Sequence, residues 1–341
     1  MLRITAYSVA ALSLSACVGE PDGSTTAQAI AGCPTWGCGE NSPVMGPYAF
    51  HELNVDGVAN AERVRIVNFQ LGSTTYTPRI VNGGQLVAYD PVTNTSVSGS
   101  ALAGGWFNID TPNGAYQIII SKVNAQNTSS VTFWLGPAAQ IETYELYYTG
   151  ASSGRLCANP PNRDSGEKWA APLEAMFFTG DRYDVGTKTV TASTYASTAG
   201  WFNIACAGSA LAKLHLNRHT TAGTTGNFST SASQRQAMLK MYVSDICGTG
   251  NTWTQKGTPL HWQNTTGWSL LNGSEFAFEA RWSANGALCL DTHRLGDLYA
   301  KPSDPNGIYG ECNPPPCNGS VSAPAFPGNT YLVTAVPSDP N

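Results

Sequence analysis

Apolar and polar side chains alternate in Val64-Arg65-Ile66-Val67-Asn68-Phe69 and again in Tyr144-Glu145-Leu146-Tyr147. A period of two puts successive side chains on opposite faces of a pleated strand, so both segments predict half-buried strands. Short β-branched or aromatic runs recur at 48–54, 62–70, 85–89, 116–123, 131–135 and 141–148, divided by turn formers such as Asn82-Gly83-Gly84 and Pro112-Asn113-Gly114. These runs predict an N-terminal antiparallel β-sandwich or barrel over residues 41–150.

Beyond that region the period changes. Ala207, Ala210, Leu211 and Leu214 fall at helical spacing, and Ser231 followed by Gln234 is a capping box that opens a second helix. Met238, Met241, Tyr242 and Ile246 form its apolar stripe, and Gly248 is the expected stop. Strands resume at 276–282 and 288–291. Residues 151–320 thus predict an α+β domain with two helices, followed by an irregular C-terminal tail at 321–341. The expected fold class is α+β, predominantly β. Gly105-Trp106-Phe107-Asn108-Ile109 recurs as Gly200-Trp201-Phe202-Asn203-Ile204, but the flanks match poorly and the repetition is read as coincidence, with two similar half-domains as the minor alternative.

Composition narrows the class. Only 12% of the 341 residues are charged, with 18 Lys+Arg against 23 Asp+Glu. Without a basic excess, binding of nucleic acid by phosphate neutralisation is excluded. With 42% hydrophobic residues, 9 Trp and 14 Tyr, the chain can bury a core that a disordered chain lacks. Nine cysteines are an odd number, and the leader accounts for the ninth. Residues 1–16 carry one base, Arg3, then an uncharged run too short to span a bilayer, which is the layout of an export signal. Leu14-Ser15-Ala16-Cys17 resembles the lipobox of bacterial lipoproteins, and that resemblance implies a lipid-bearing Cys17 as the mature N-terminus. The rival cleavage site, Ala27-Gln28-Ala29, lies far beyond the apolar run. Residues 17–40 then form a tether and a first local disulfide. The expected location is the bacterial envelope, anchored to the outer membrane or cell surface through the lipid, with secretion as the alternative.

With Cys17 set aside, Cys33, Cys38, Cys157, Cys206, Cys247, Cys289, Cys312 and Cys317 form an even set, which reads as a disulfide framework. Sequence separation favours Cys33 with Cys38 and Cys312 with Cys317 as local loops. It favours Cys157 with Cys206 and Cys247 with Cys289 as long bridges. A four-thiolate zinc site is the weaker alternative in an oxidising compartment. No metal or other cofactor is expected.

Candidate chemistry is sparse. Gly150-Ala151-Ser152-Ser153-Gly154 matches a nucleophile-elbow pattern after a strand, but Cys157-Ala158-Asn159-Pro160-Pro161 follows where a helix is required. Ser165-Gly166-Glu167-Lys168 lacks its companion motifs. His215 and His219 share a helical face, yet neither a third ligand nor a Glu between them is evident. Trp253, Trp262 and Trp268 suit a sugar-stacking surface or a core equally well. Asp245 lies near the apolar stripe in the last helical turn, where the dipole disfavours an anion. It therefore needs a cation, for which Arg281, Arg294 and Lys213 are the candidates in a buried polar site.

Tyr242-Val243-Ser244-Asp245-Ile246-Cys247-Gly248, with Gly250 and Gly257-Thr258-Pro259, resembles the signature of the ADYC-domain family, exported proteins typical of myxobacteria and their relatives. The Ala-Asp-Tyr-Cys run of that family stands here as Ser244-Asp245-Ile246-Cys247. Trp36-Gly37-Cys38-Gly39, His51-Glu52-Leu53, Asn60-Ala61-Glu62, Trp201 to Gly208 and Glu279-Ala280-Arg281-Trp282 resemble further blocks of the family. The resemblance implies a family and no particular activity. The expectation is an exported cell-envelope lipoprotein with a structural or binding role, whose partner is a glycan or envelope protein. The alternative is a secreted hydrolase or polysaccharide-binding module.

Overall fold

The computed structural model describes residues 43–82, 84–124, 141–157, 174–184, 187–191, 200–207, 209–220, 230–254, 260–267, 269, 271, 276–294 and 307–338. The expected strand at 131–135, the leader, the tether, Cys17, Cys33, Cys38, Ser165, Lys168 and Trp268 lie outside those residues.

Val44–Met45 (β1) and Tyr48–Ala49 (β2) form a small hairpin. The main sheet collects Glu52–Asn54 (β3), Arg65–Leu71 (β4), Thr74–Val81 (β5), Gln85–Asp90 (β6), Thr95–Ser98 (β7), Trp106–Thr111 (β8), Gly114–Asn124 (β9), Thr143–Thr149 (β10) and Gly154–Arg155 (β11). Glu174–Phe178 (β12) joins it, as does Trp201–Cys206 (β15) after the separate hairpin of Arg182–Asp184 (β13) and Thr189–Thr191 (β14). The order is β3-β15-β12-β10-β9-β8-β4-β5-β6-β7, with β11 beside β10, and the pairings are antiparallel.

The sheet curls so that strands far apart in this order meet. Asn60, in the loop from β3 to β4, donates from Nδ2 to the Glu52 carbonyl at 2.9 Å and accepts from Val64 N–H at 2.9 Å. Across the interior, Leu86 N–H of β6 donates to Tyr144 Oη of β10 at 2.8 Å. Leu53, Phe69, Leu86, Phe107, Ile118, Leu146, Phe177 and Phe202 fill one enclosed core, each such side chain worth roughly 1.5–3 kcal/mol.

One wall of this sheet serves two cores. Glu174-Ala175-Met176-Phe177-Phe178 is buried at every position. Ala175 and Phe177 enter the curled sheet, while Met176 and Phe178 enter a second core on the other side. In β15, Phe202, Ile204 and Cys206 face the first core and Ala205 the second. A strand covered on both faces reads as an unbroken apolar run rather than an alternation. The expected boundary between residues 150 and 151 is therefore crossed, because β12 and β15 pair into the sheet between β10 and β3.

The second core lies under Ala210–Leu216 (α1) and Ala232–Val243 (α2). Its floor is a four-stranded sheet of His261–Asn264 (β16), Phe276–Ser283 (β17), Gly286–Leu290 (β18) and Leu332–Pro337 (β19), ordered β16-β19-β17-β18. A single helical turn, Ile308–Glu311 (α3), precedes Cys312. The tail expected to be irregular thus supplies an interior strand, since Leu332-Val333-Thr334-Ala335-Val336 is a short strand-forming run hidden in a Pro-rich surrounding. A bulge between Phe278 and Ala280 reverses the alternation of β17. Phe278 consequently packs with Cys289, Cys317 and Val333, while Ala280 and Trp282 face the helices.

Cys157 bridges to Cys206, the pair favoured by separation. The other two bridges are Cys247–Cys312 and Cys289–Cys317, in place of Cys247–Cys289 and Cys312–Cys317. The cause is the strapping of 313–319 along β18: Leu290 N–H donates to Pro315 O at 2.9 Å. The Asp291 carboxylate accepts from Cys317, Asn318 and Gly319 N–H at 2.6, 3.0 and 2.8 Å. Cys317 is thereby placed on Cys289, and α3 delivers Cys312 to the end of α2.

Candidate functional site

The family-like segment begins where α2 ends. The capping box forms as expected, Gln234 N–H donating to Ser231 Oγ at 3.2 Å and Ser231 N–H to Gln234 Oε1 at 2.7 Å. The helix stops short of Gly248, because Ser244 adopts the left-handed conformation, φ 53° and ψ 45°. Ser244 N–H then donates to Met241 O at 3.1 Å and Asp245 N–H to Lys240 O at 2.9 Å. This pair of bonds is a Schellman turn, in which the side chains at the positions of Lys240 and Asp245 ordinarily meet through an apolar contact.

Here they meet as an ion pair. Lys240 Nζ donates to Asp245 Oδ2 and also to Thr187 O at 3.0 Å, and Asp245 Oδ2 accepts Gly250 N–H at 2.9 Å. The side chains are 2% and 0% exposed. Asp245 Oδ1 and Ser244 Oγ are buried with no hydrogen-bond partner among the described residues. Burial pushes the Asp245 carboxyl above its ordinary value even against the Lys240 ammonium, and Glu311 adds to the upward push. Glu311 binds the same loop, accepting from Thr249 Oγ1, from Asn251 Nδ2 at 3.2 Å and from Trp253 Nε1 at 3.1 Å. Two glycines let the loop lie on the β17–β18 hairpin. A Cβ on Gly248, φ 74°, would fall 2.1 Å from Asn285 O, and one on Gly286, φ 111°, would fall 2.5 Å from Ile246 O. In the family signature, then, the first residue turns the chain, the aspartate braces it, and Cys247 locks it to α3.

None of the three cations expected beside Asp245 reaches it. Arg294 makes a buried fork on Glu279, Nε to Oε1 at 2.6 Å and Nη2 to Oε2 at 3.0 Å. Arg281 donates to Cys317 O at 3.0 Å and Ala325 O at 3.2 Å. Lys213 is half-buried, with its ammonium 5.8 Å from the centre of the Tyr242 ring. Burial, and then Arg294, push its pKa down to about 8. Lys213 and Arg294 therefore share a neighbourhood with Tyr242 and Glu279, apart from the Asp245 brace. Sequence reasoning missed Lys240, although its offset of five from Asp245 is the one a Schellman turn brings together.

The remaining candidates have structural surroundings. His215 stacks on Phe178 at 4.7 Å, with Nδ1 3.4 Å from Thr220 Oγ1. The Nδ1–H of His219 donates to Asn217 O at 2.7 Å and its Nε2 lies 3.1 Å from Asn264 Nδ2, a tautomer assigned from these partners. Among the described residues no group of three His, Cys, Asp or Glu is placed to hold a metal. Ser152 is exposed and leads into β11 rather than a helix. Trp253 and Trp262 are buried. Two further ion pairs tie elements together: Arg235 of α2 forks onto buried Asp181, and Arg182 of β13 onto Glu52 of β3.

No curated protein and no solved structure matches the chain. A family model, the ADYC domain, matches residues 99–296, more than half of the 341 residues. That span runs from the curled sheet through the α2 turn to Arg294, and the chain belongs to the ADYC-domain family.

Proposed function

We propose that the chain is an exported, lipid-anchored cell-envelope protein whose role is structural or binding rather than catalytic. The disulfide framework carries this reading: three bridges link β11 to β15, α2 to α3 and β18 to the strapped segment, and bridges of this kind persist in oxidising compartments. The lipobox-like run before Cys17 supplies the anchor. The buried pairs Arg235–Asp181, Lys240–Asp245 and Arg294–Glu279 support the non-catalytic part, since each engages its charges in bracing the fold away from solvent.

Mass spectrometry of the detergent-extracted protein tests the anchor. An acylated N-terminal peptide at Cys17, and release of a Cys17→Ala variant into the soluble fraction, are the expected results. A mature protein that is soluble and carries no acyl mass at Cys17 overturns the anchor. Thiol labelling of the denatured, unreduced protein tests export, and free thiols at Cys157, Cys206, Cys247, Cys289, Cys312 and Cys317 would overturn it.

A further inference from the structure

We infer that the outer face of the curled sheet across β4, β8, β9 and β10 is a docking platform for an extended, uncharged polysaccharide, with Trp106 and Tyr147 as its stacking rings. The inference deepens the binding role proposed above and is independent of the lipid.

Strand register aligns the platform. Gln70, Trp106, Ile119, Tyr147 and Arg155 stand opposite one another on successive strands from β4 to β11, all on the face turned away from the enclosed core. Asn68, Asn108, Gln117 and Thr149 form the adjacent row. Neighbouring strands lie about 4.8 Å apart, so Trp106 and Tyr147, with Ile119 between them, are separated by roughly 10 Å along a line perpendicular to the strands. Trp106, Ile119 and Tyr147 are all half-buried, each standing on the sheet with part of its surface in solvent. Flat rings repeated along one line suit the apolar faces of successive sugars in an extended chain.

The second row supplies the polar half of such a contact. Asn108 Nδ2 donates to Asn68 Oδ1 at 2.6 Å, and Gln117 Nε2 donates to Asn108 Oδ1 at 3.1 Å. These bonds orient the three amides before a ligand arrives and leave donors and acceptors for hydroxyl groups, which lowers the ordering cost of binding. Charge on the face is largely cancelled from within, Arg65 pairing with Asp110 at 2.6 Å and Lys122 with Glu145 at 3.5 Å. Arg155 ends the row with its guanidinium over the Tyr147 ring, 5.0 Å from its centre, so a sugar stacking there must share that ring with the cation. The face thus complements a neutral, hydroxyl-rich chain better than a polyanion.

The repeated Gly-Trp-Phe-Asn-Ile segment provides an internal contrast. Phe107 and Phe202 both point into the enclosed core, and Trp106 and Trp201 both point away from it. Trp201 is covered by the Arg182 guanidinium, 3.9 Å above its ring and itself fixed to Glu52. Trp106 has no such ring or cation partner among the described residues, and its buried Nε1 has no hydrogen-bond partner there; both rings are half-buried, so the two copies differ in what they touch rather than in exposure.

Co-sedimentation of the full-length protein with microcrystalline cellulose, chitin and β-mannan, with polygalacturonate as the charged comparison, tests the inference. Binding to at least one uncharged polymer is expected, weakened about tenfold or more in Trp106→Ala and Tyr147→Ala and largely kept in Trp106→Phe. Val92→Ser, in the loop between β6 and β7 and 90% exposed, should bind as the parent does. If circular dichroism shows that the alanine variants do not fold, Asn108→Asp serves instead, since it breaks the amide row without removing a ring, and it too should weaken binding. The inference is overturned if no uncharged polymer binds, if polygalacturonate is preferred, or if the ring and amide variants bind as the parent does. It is equally overturned if Trp106→Ala merely converts a dimer to a monomer, which would make the face a self-association surface. Acylation at Cys17 is read separately, so the anchor and the platform fail independently.

Discussion

Lowering the pH from 7.5 to 5 should weaken the fold, mainly through two histidines. Burial pushes His215 and His219 down to about 4 from an ordinary value of 6.5. Their surroundings explain why: His215 is sandwiched against Phe178, and the second nitrogen of His219 faces an Asn264 amide, with the Arg235 charge nearby. The unfolded chain takes up protons near pH 6.5, whereas the folded protein refuses them until about pH 4. A folded pKa below the unfolded one means that stabilisation is complete above about pH 6.5 and is lost as the pH falls toward 4. A displacement of about 2.5 pH units amounts to about 3.4 kcal/mol per histidine in full, and about 2 kcal/mol at pH 5. Both residues together remove about 4 kcal/mol at pH 5, a large part of an ordinary folding stability of roughly 5–15 kcal/mol. His51, also pushed down by burial, acts in the same direction. Urea unfolding at the two pH values measures the loss directly. His215→Phe keeps a ring on Phe178 and removes one titrating group, so its acid loss should be smaller by about 2 kcal/mol. Equal unfolding free energies at the two pH values, or an undiminished loss in His215→Phe, would refute the reasoning.

Four other outcomes are expected. The Cys247→Ala/Cys312→Ala variant opens a bridge spanning 65 residues, and the chain-entropy account puts the cost at about 4 kcal/mol, read as a fall in the urea midpoint. Peptide mapping should recover Cys247 linked to Cys312 and Cys289 linked to Cys317, and a Cys247–Cys289 peptide would contradict the fold. Asp245→Ala strands a buried ammonium and should cost about 3–5 kcal/mol, whereas Lys240→Met/Asp245→Leu should cost markedly less; purely additive losses would show that the two side chains are not coupled. Ser244→Ala removes a buried hydroxyl that has no partner among the described residues and should raise stability by about 1 kcal/mol, so a lower Tm would count against the described turn.

The parts legible in the sequence are those encoded by neighbours along the chain. Alternation in 64–69 and 144–147 identifies β4 and β10, because one face of each is wet. The Ser231 and Gln234 pair identifies the start of α2, because a capping box needs only four residues. β12 and β19 escape such a reading: both faces of β12 are covered, so its alternation vanishes into Glu174-Ala175-Met176-Phe177-Phe178, and β19 is a short run in a Pro-rich stretch. The family, too, is written locally, in a turn, a bracing aspartate and a cysteine. What the tertiary structure alone decides is which distant groups meet. Separation along the chain favours Cys247 with Cys289, yet strapping 313–319 to β18 exchanges the partners. The composition near Asp245 suggests Arg281, Arg294 or Lys213, yet the left-handed Ser244 folds Lys240 back onto it. Trp106 and Trp201 sit in identical five-residue segments, yet only Trp201 receives the guanidinium of Arg182, brought across from β13. Local sequence sets backbone conformation through short-range sterics and hydrogen bonds, whereas these partnerships are set by packing, where residues far apart in sequence compete for the same buried space.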